Sequence, residues 1–328
     1  MLSADTRNRV NVALASTAAG AELLSGVVPT FGTLYYVDYD NGNDTVHDGL
    51  SMDKAFKTIA KAYDKVTTNK NDVIVLSANS AHVLSDELAV TKNRVHFVGL
   101  DASPVRRRLG QRARITMGLT TGTAIAAIKV TGVGCTFSNL KITSTDSLST
   151  SLYAFADGGE FTVLDHVWLE KNEDLNQTTA AELLCNGDTS YYHRCTIGNC
   201  IYTVSVARAN VLFTRETITG KVARDVIFEG CIFQNKTSAT TSIFGKATTS
   251  DIERMCLFED CVFWTAKTSS ATQAVVFGIA SALTDGEILL RNCTVQNVTD
   301  VCATALGVFT NSPAPSTTGT ESVLVATS

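Results

Sequence analysis

Glycoside hydrolysis needs two carboxylates held roughly 5–9.5 Å apart across a groove. Asp157, Glu160 and Asp188 are the residues of this chain that could supply them. Glu160 and Asp188 are 28 positions apart, a spacing that recurs elsewhere in the chain, so both fall at the same place in consecutive repeats with Asp157 close by. The strings DGGE and NGD that carry them are also ordinary turn sequences. Glu229 and Glu259 are in register as well, followed by Arg291, and read as a solvated ladder of charge. Five histidines, His47, His82, His96, His166 and His193, lack ligand spacing. His166 and His193 fall at neighbouring corners, where a surface pair is expected. The loop Asp38, Asp40, Asn41, Asn43, Asp44, Asp48 is rich in oxygen ligands, but Gly42 and Gly49 break the EF-hand pattern and Asn-Gly and Asp-Gly are turn formers. Nine cysteines include no C-x-x-C pair, so they read as reduced, buried thiols rather than zinc ligands. No metal and no cofactor is expected.

What must position these residues is a repeat. VIFEGCIF at 226–233 returns as CLFEDCVF at 256–263 and, more loosely, as ILLRNCTV at 288–295, YYHRCTI at 191–197, TVLDHVWL at 162–169 and CTFSNLKI at 135–142. VHFVGLD at 95–101 is a weaker seventh copy. Each copy is a strand, a two-residue corner and a second strand, with alternate side chains pointing inward. The corner breaks the parity, and its second residue suits the left-handed region, as Gly230, Asp260 and Asn292 do. The residues just after the corners are Leu100, Leu140, Val167, Cys195, Cys231, Cys261 and Cys293, with spacings of 40, 27, 28, 36, 30 and 32. A period near thirty with no helix inside it predicts a single-stranded right-handed parallel β-helix, a solenoid of about eight to ten coils stacked about 4.8 Å apart. The same register makes Trp168 and Trp264 outward-facing. The composition agrees: 328 residues, 45% hydrophobic and 18% charged, can bury a long core. A net charge of −5 gives no reason to expect nucleic acid as a partner.

Around the solenoid the spacing predicts four parts. Residues 1–30 form a helical arm whose apolar stripe includes Val10, Leu14 and Leu24; its polar interruptions argue against an export signal, and no apolar run reaches the roughly 18 residues of a membrane span. Residues 31–70 cap the solenoid, with an amphipathic lid helix over 52–67, N-capped by Ser51, that buries Phe56, Ile59, Ala60, Tyr63 and Val66. Residues 71–310 are the β-helix, and 311–328 a tail or cap strand. Within the solenoid, SPVRRRLGQRARI holds Arg106, Arg107, Arg108, Arg112 and Arg114, a solvated loop or a docking contact.

YYVDYDNGNDTVHDGLSMDKAFKTIAKAYDKV, then NDVIVLSAN and VHFVGLD, resembles the opening of the pectate-lyase-like right-handed β-helix superfamily. The Ala-rich run ALASTAAGAELLSG resembles N-terminal segments of phage head-associated proteins. The superfamily contains lyases, hydrolases, epimerases, tailspikes and inert virion proteins, so the resemblance implies the fold and leaves activity open. LDHVWLE at 164–170 departs in order from the Trp-Ile-Asp-His element of pectate lyases, and the polygalacturonase elements do not occur. The expectation is therefore a non-enzymatic phage virion structural protein: a trimeric capsid decoration or cement protein, assembled in the host cytoplasm. It would dock on the major capsid protein through Val10, Leu14, Leu24, Arg106, Arg107 and Arg108, with no nucleic acid or membrane partner. The alternative is a phage tailspike or polysaccharide depolymerase acting on host polysaccharide through Asp157, Glu160 and Asp188.

Overall fold

A computed structural model describes residues 32–78, 81–100, 112–118, 122–145, 151–171, 179–201, 208–215, 221–236, 243–247, 250–266, 273–279, 283–302 and 308–311. The helical arm, Arg106, Arg107, Arg108 and the stretch 312–328 lie outside the described residues.

Among the described residues, alternating apolar positions form three parallel sheets with ten, eight and eight strands, wound as a right-handed parallel β-helix. Sheet A runs from Leu34–Val37 to Val308–Thr310, sheet B from Ala81–Leu84 to Thr294–Gln296, and sheet C from Leu88–Val90 to Val298–Cys302. Sheet A already begins with Leu34–Val37, which pairs in parallel with Asp72–Leu76. From Asp72–Leu76 onward, the described strands pass through A, B and C in turn.

The A-to-B corners have a common device. Asn139, His166, Arg194, Gly230, Asp260 and Asn292 all have φ between 50° and 60°. Their amides continue the ladder around the bend: His166 N–H donates to His193 O at 2.9 Å, Arg194 N–H to Glu229 O at 2.8 Å and Asp260 N–H to Arg291 O at 2.9 Å. Each non-glycine residue there carries a strain of about 1 kcal/mol, offset by keeping a buried ladder complete. After the corner, Leu140, Val167, Cys195, Cys231, Cys261 and Cys293 form the expected inward column. The cysteines are unbridged, and Cys231, Cys261 and Cys293 each donate Sγ–H to a carbonyl of the previous coil. Beside them runs an aromatic stack in which Phe228 lies between Tyr192 and Phe258, with ring centroids 4.5 and 4.6 Å away.

Two expectations need correction. Leu100 does not belong to the column: Leu140 pairs with Ala113, and Leu100 packs outside sheet A against the cluster of Tyr36, Ala55, Val73 and Val75. The copy at 95–101 fails because Gly99 lies against the Asn139 carbonyl, which an added Cβ would meet at 2.2 Å, and it does not turn into the left-handed region. The lid helix is also shorter than 52–67. Met52–Lys54 is a single 3-10 turn, Phe56 bridges to Val37, and helix α1 spans Ile59–Lys65. Its cap is Thr58, whose side chain accepts from Lys61 N, rather than Ser51. Asp44 draws the chain straight before α1 by accepting from Lys57 N, Thr58 N and the Thr58 hydroxyl. Ile59, Ala62 and Val66 join the core while Ala60 faces solvent. Among the described residues no helix is long and apolar enough to cross a membrane.

Candidate functional site

Where Leu164, Tyr192 and Phe228 point inward, the residues on either side of them point out. Strand register therefore stacks Asp165, His193, Glu229, Glu259 and Arg291 as one row along the A-to-B edge. At its start three side chains converge. Asp165 Oδ1 accepts from His166 Nδ1 at 2.8 Å and from His193 Nδ1 at 2.7 Å. The two imidazoles stand perpendicular with centroids 5.7 Å apart.

Burial alone would raise the Asp165 carboxyl, but the two histidine hydrogen bonds and the histidine charges outweigh it and hold the group at about 2. An ionised Asp165 only accepts, so both rings donate through Nδ1 and both Nε2 atoms are left for other partners. The His193 side chain is 20% exposed, against 7% for His166, so His193 is the face that meets solvent. Support comes from several sides. Tyr191 stacks on the His193 ring, Tyr191 donates its hydroxyl to Glu229 at 2.5 Å, and Arg112 donates to the His166 carbonyl at 2.9 Å. Burial and Glu229 push the Tyr191 hydroxyl well up, which keeps it a neutral donor. Arg194, the next residue, is exposed and has no ion-pair partner among the described residues.

The carboxylates singled out from sequence do not form one site. Glu160 and Asp188 are bridge partners on adjacent coils, as the spacing requires. Asp157, however, is fully buried, for it is the last residue of the sheet C strand Tyr153–Asp157 and points into the tube. Its oxygens accept from the hydroxyls of Tyr192, Ser190 and Thr162 and from Gly159 N. Burial pushes its pKa up against these four donors. Asp188 is held by Arg224 at 2.9 Å, with Arg254 at 3.9 Å, so it is a neutralised ion-pair member rather than a free base. Glu160 alone of the three is an exposed carboxylate.

Other charges are also partnered. Glu259 pairs with Arg291, Glu182 with Arg208 at 2.8 Å, and Glu170 with Lys141, whose ammonium also lies 4.1 Å from the Trp168 ring centroid. Trp168 and Trp264 are both half-buried on the outer face of sheet B. They are three strands apart in that sheet and two residues out of register, about 16 Å, so they do not form one platform. In the loop before α1 the oxygens of Asp38, Asn43, Asp44 and Asp48 accept nearby backbone amides, which is turn chemistry.

Sequence spacing put His166 and His193 at neighbouring corners and passed over Asp165. The available signal was the Asp-His pair at 165–166 followed by a histidine 28 residues after Asp165, one coil on.

No family model matches the chain, and no curated protein matches it by sequence. Solved structures match by fold. Pectate lyase Pel9A superposes with a TM-score of 0.57 at 11% identity, covering 85% of this chain and 68% of that one. A rhamnogalacturonan lyase gives 0.53 at 14% identity, covering 81% and 68%. The ORF18 protein of Geobacillus virus E2 gives 0.53 at 11% identity, covering 91% of this chain but only 52% of the viral protein. At these identities the likeness shows the right-handed parallel β-helix fold alone. Two of these three structures are polysaccharide lyases and the third is a phage protein.

Proposed function

We propose that this β-helix is a depolymerase that cleaves an acidic polysaccharide by elimination at the Asp165–His166–His193 edge. The observation that carries the reading is one buried carboxylate orienting two imidazoles, of which His193 reaches solvent on the outside of a rigid tube. Asp165 fixes Nδ1–H, which makes Nε2 of His193 the basic nitrogen. His193 takes the proton next to a uronate carboxylate, the bond from the neighbouring carbon to the glycosidic oxygen breaks, and a carbon–carbon double bond forms. The departing oxygen takes its proton from water, and the exposed guanidinium of Arg194 balances the uronate charge. Pectate and rhamnogalacturonan lyases on the same fold give the reading its substrate class.

The test is incubation with a panel of uronate polysaccharides, read by ultraviolet absorbance of the unsaturated product. His193→Ala should lower the rate by about 10²–10⁴-fold. Absence of product across the panel, or a His193→Ala rate equal to wild type, would sink the proposal.

A second reading is a non-enzymatic virion component, a trimeric decoration protein that binds the major capsid protein. The viral structure in the comparison supports it. So does an outward apolar row on sheet A, Val163, Tyr191, Ile227, Leu257, Leu289 and Phe309, which stacks across six coils. Light scattering on the intact chain and on a chain lacking residues 1–30, each with emptied capsids, decides it. Trimers that bind only with the arm present favour this reading, and a monomer indifferent to capsids removes it.

A further inference from the structure

We propose that Asp165, His166 and His193 form a binding site for one divalent cation of the zinc class, with a fourth position open to water. Each of the three offers a ligand atom, and these atoms lie within 4.8 Å of one another. Among the described residues this is the group with metal-ligand composition and convergence. One carboxylate with two imidazoles suits zinc and its first-row neighbours, whereas calcium and magnesium favour oxygen cages.

Two of the three ligand-to-ligand distances are close to what a tetrahedral ion needs, and the third, between the imidazoles, lies within 4.8 Å. Ligands at about 2.0–2.1 Å from zinc stand roughly 3.3–3.4 Å from one another. Oδ1 of Asp165 is now 2.8 and 2.7 Å from the two Nδ1 atoms, so each pair must open by about half an ångström. Small rotations of the two rings supply that. The cation takes the place of the two Nδ1 protons, and each neutral ring keeps its proton by moving it to Nε2.

The surroundings hold the ligands in place, as second-shell partners do. Tyr191 stacks on His193 and is tied to Glu229, while Arg112 grips the His166 carbonyl. Partial exposure of His193 gives the cation an entry path and leaves room for an exchangeable water. Because Asp165 and His166 come from one coil and His193 from the next, the site exists only when the coils are stacked.

This proposal uses the cluster assigned above to proton abstraction but does not depend on that assignment. A cation bound there occupies Asp165 and the Nδ1 atoms that orient the base, so loading is expected to inhibit any cleavage that His193 performs.

The test uses the chelator-treated full chain carrying Cys200→Ser and Cys302→Ser, since these two half-buried thiols would compete for zinc. Zinc is titrated by calorimetry, and cobalt by its visible absorption. One equivalent of zinc is expected, with a tetrahedral cobalt spectrum that lacks thiolate bands. His193→Ala and Asp165→Asn should each weaken binding by about 10–100-fold or more, and His47→Ala should leave it unchanged. Absence of the equivalent, a cobalt spectrum with thiolate character, or zinc binding that survives His193→Ala would overturn the proposal. If the His193 or Asp165 variant fails to fold, the cobalt spectrum of the chain carrying only Cys200→Ser and Cys302→Ser still decides. Zinc binding without polysaccharide cleavage would refute only the function proposed above, and cleavage without zinc binding only this inference.

Discussion

Replacing Asp165 by Asn keeps the size of the side chain and removes the charge on which two imidazoles converge. The structure holds the Asp165 carboxyl at about 2, against an unfolded value near 3.9. A gap of about two units corresponds to roughly 2–3 kcal/mol of stability at neutral pH. Because the folded value is the lower one, this contribution is complete above pH 4–5, falls to about half near pH 3 and is lost as the pH drops through about 2. Asp165→Asn should therefore be less stable than wild type by about 2–3 kcal/mol at pH 7, and the difference should shrink between pH 4 and pH 2. Denaturant unfolding of both proteins at several pH values measures this, with comparison of unfolding midpoints because a solenoid need not unfold in one step. A difference that stayed constant down to pH 2, or no difference at pH 7, would refute the claim that an ionised Asp165 organises the cluster.

Phe228 is fully buried between two rings, so Phe228→Ala should cost about 3–5 kcal/mol. Hydrogen exchange should show the loss centred on the coils at 191–197 and 252–259. Asp157→Asn replaces an acceptor oxygen with a donor beside the hydroxyls of Tyr192 and Ser190 and should destabilise by about 1–3 kcal/mol while leaving any polysaccharide cleavage rate unchanged; a lost rate in a folded variant would restore Asp157 to the site. Arg208→Met strands the buried Glu182 carboxylate and should cost about 3–5 kcal/mol, read by thermal unfolding. Thiol labelling of the native protein should reach Cys200 and Cys302 alone among the nine, since the other seven are buried; Cys200 should be slow, because burial pushes its thiol to about 11.

The coil was legible in the sequence because two local rules repeat without interruption. Strand parity sends alternate residues inward, and a corner needs a residue that tolerates the left-handed region. Gly230, Asp260 and Asn292 mark that corner openly, and the column from Leu140 to Cys293 follows from it. The corners at His166 and Arg194 have the same conformation with residues that do not advertise it, and there only the repeat alignment found them. Where the pattern was weakest, at 95–101, it misplaced Leu100, since the insertion before Ala113 shifted the residue that joins the column.

The site was decided by the third dimension. Register along the chain correctly set Glu160 beside Asp188, but it could not say that Asp157, three residues before Glu160, had turned inward to meet Tyr192. Nor could it show that Asp165, one residue before a left-handed corner, would reach both the ring that follows it and the ring one coil away. Sequence period determines which residues share a rung, because the hydrogen-bond ladder repeats identically from coil to coil. Which of them touch depends on how each side chain leaves a bend, and that direction is set only when the neighbouring coil is in place.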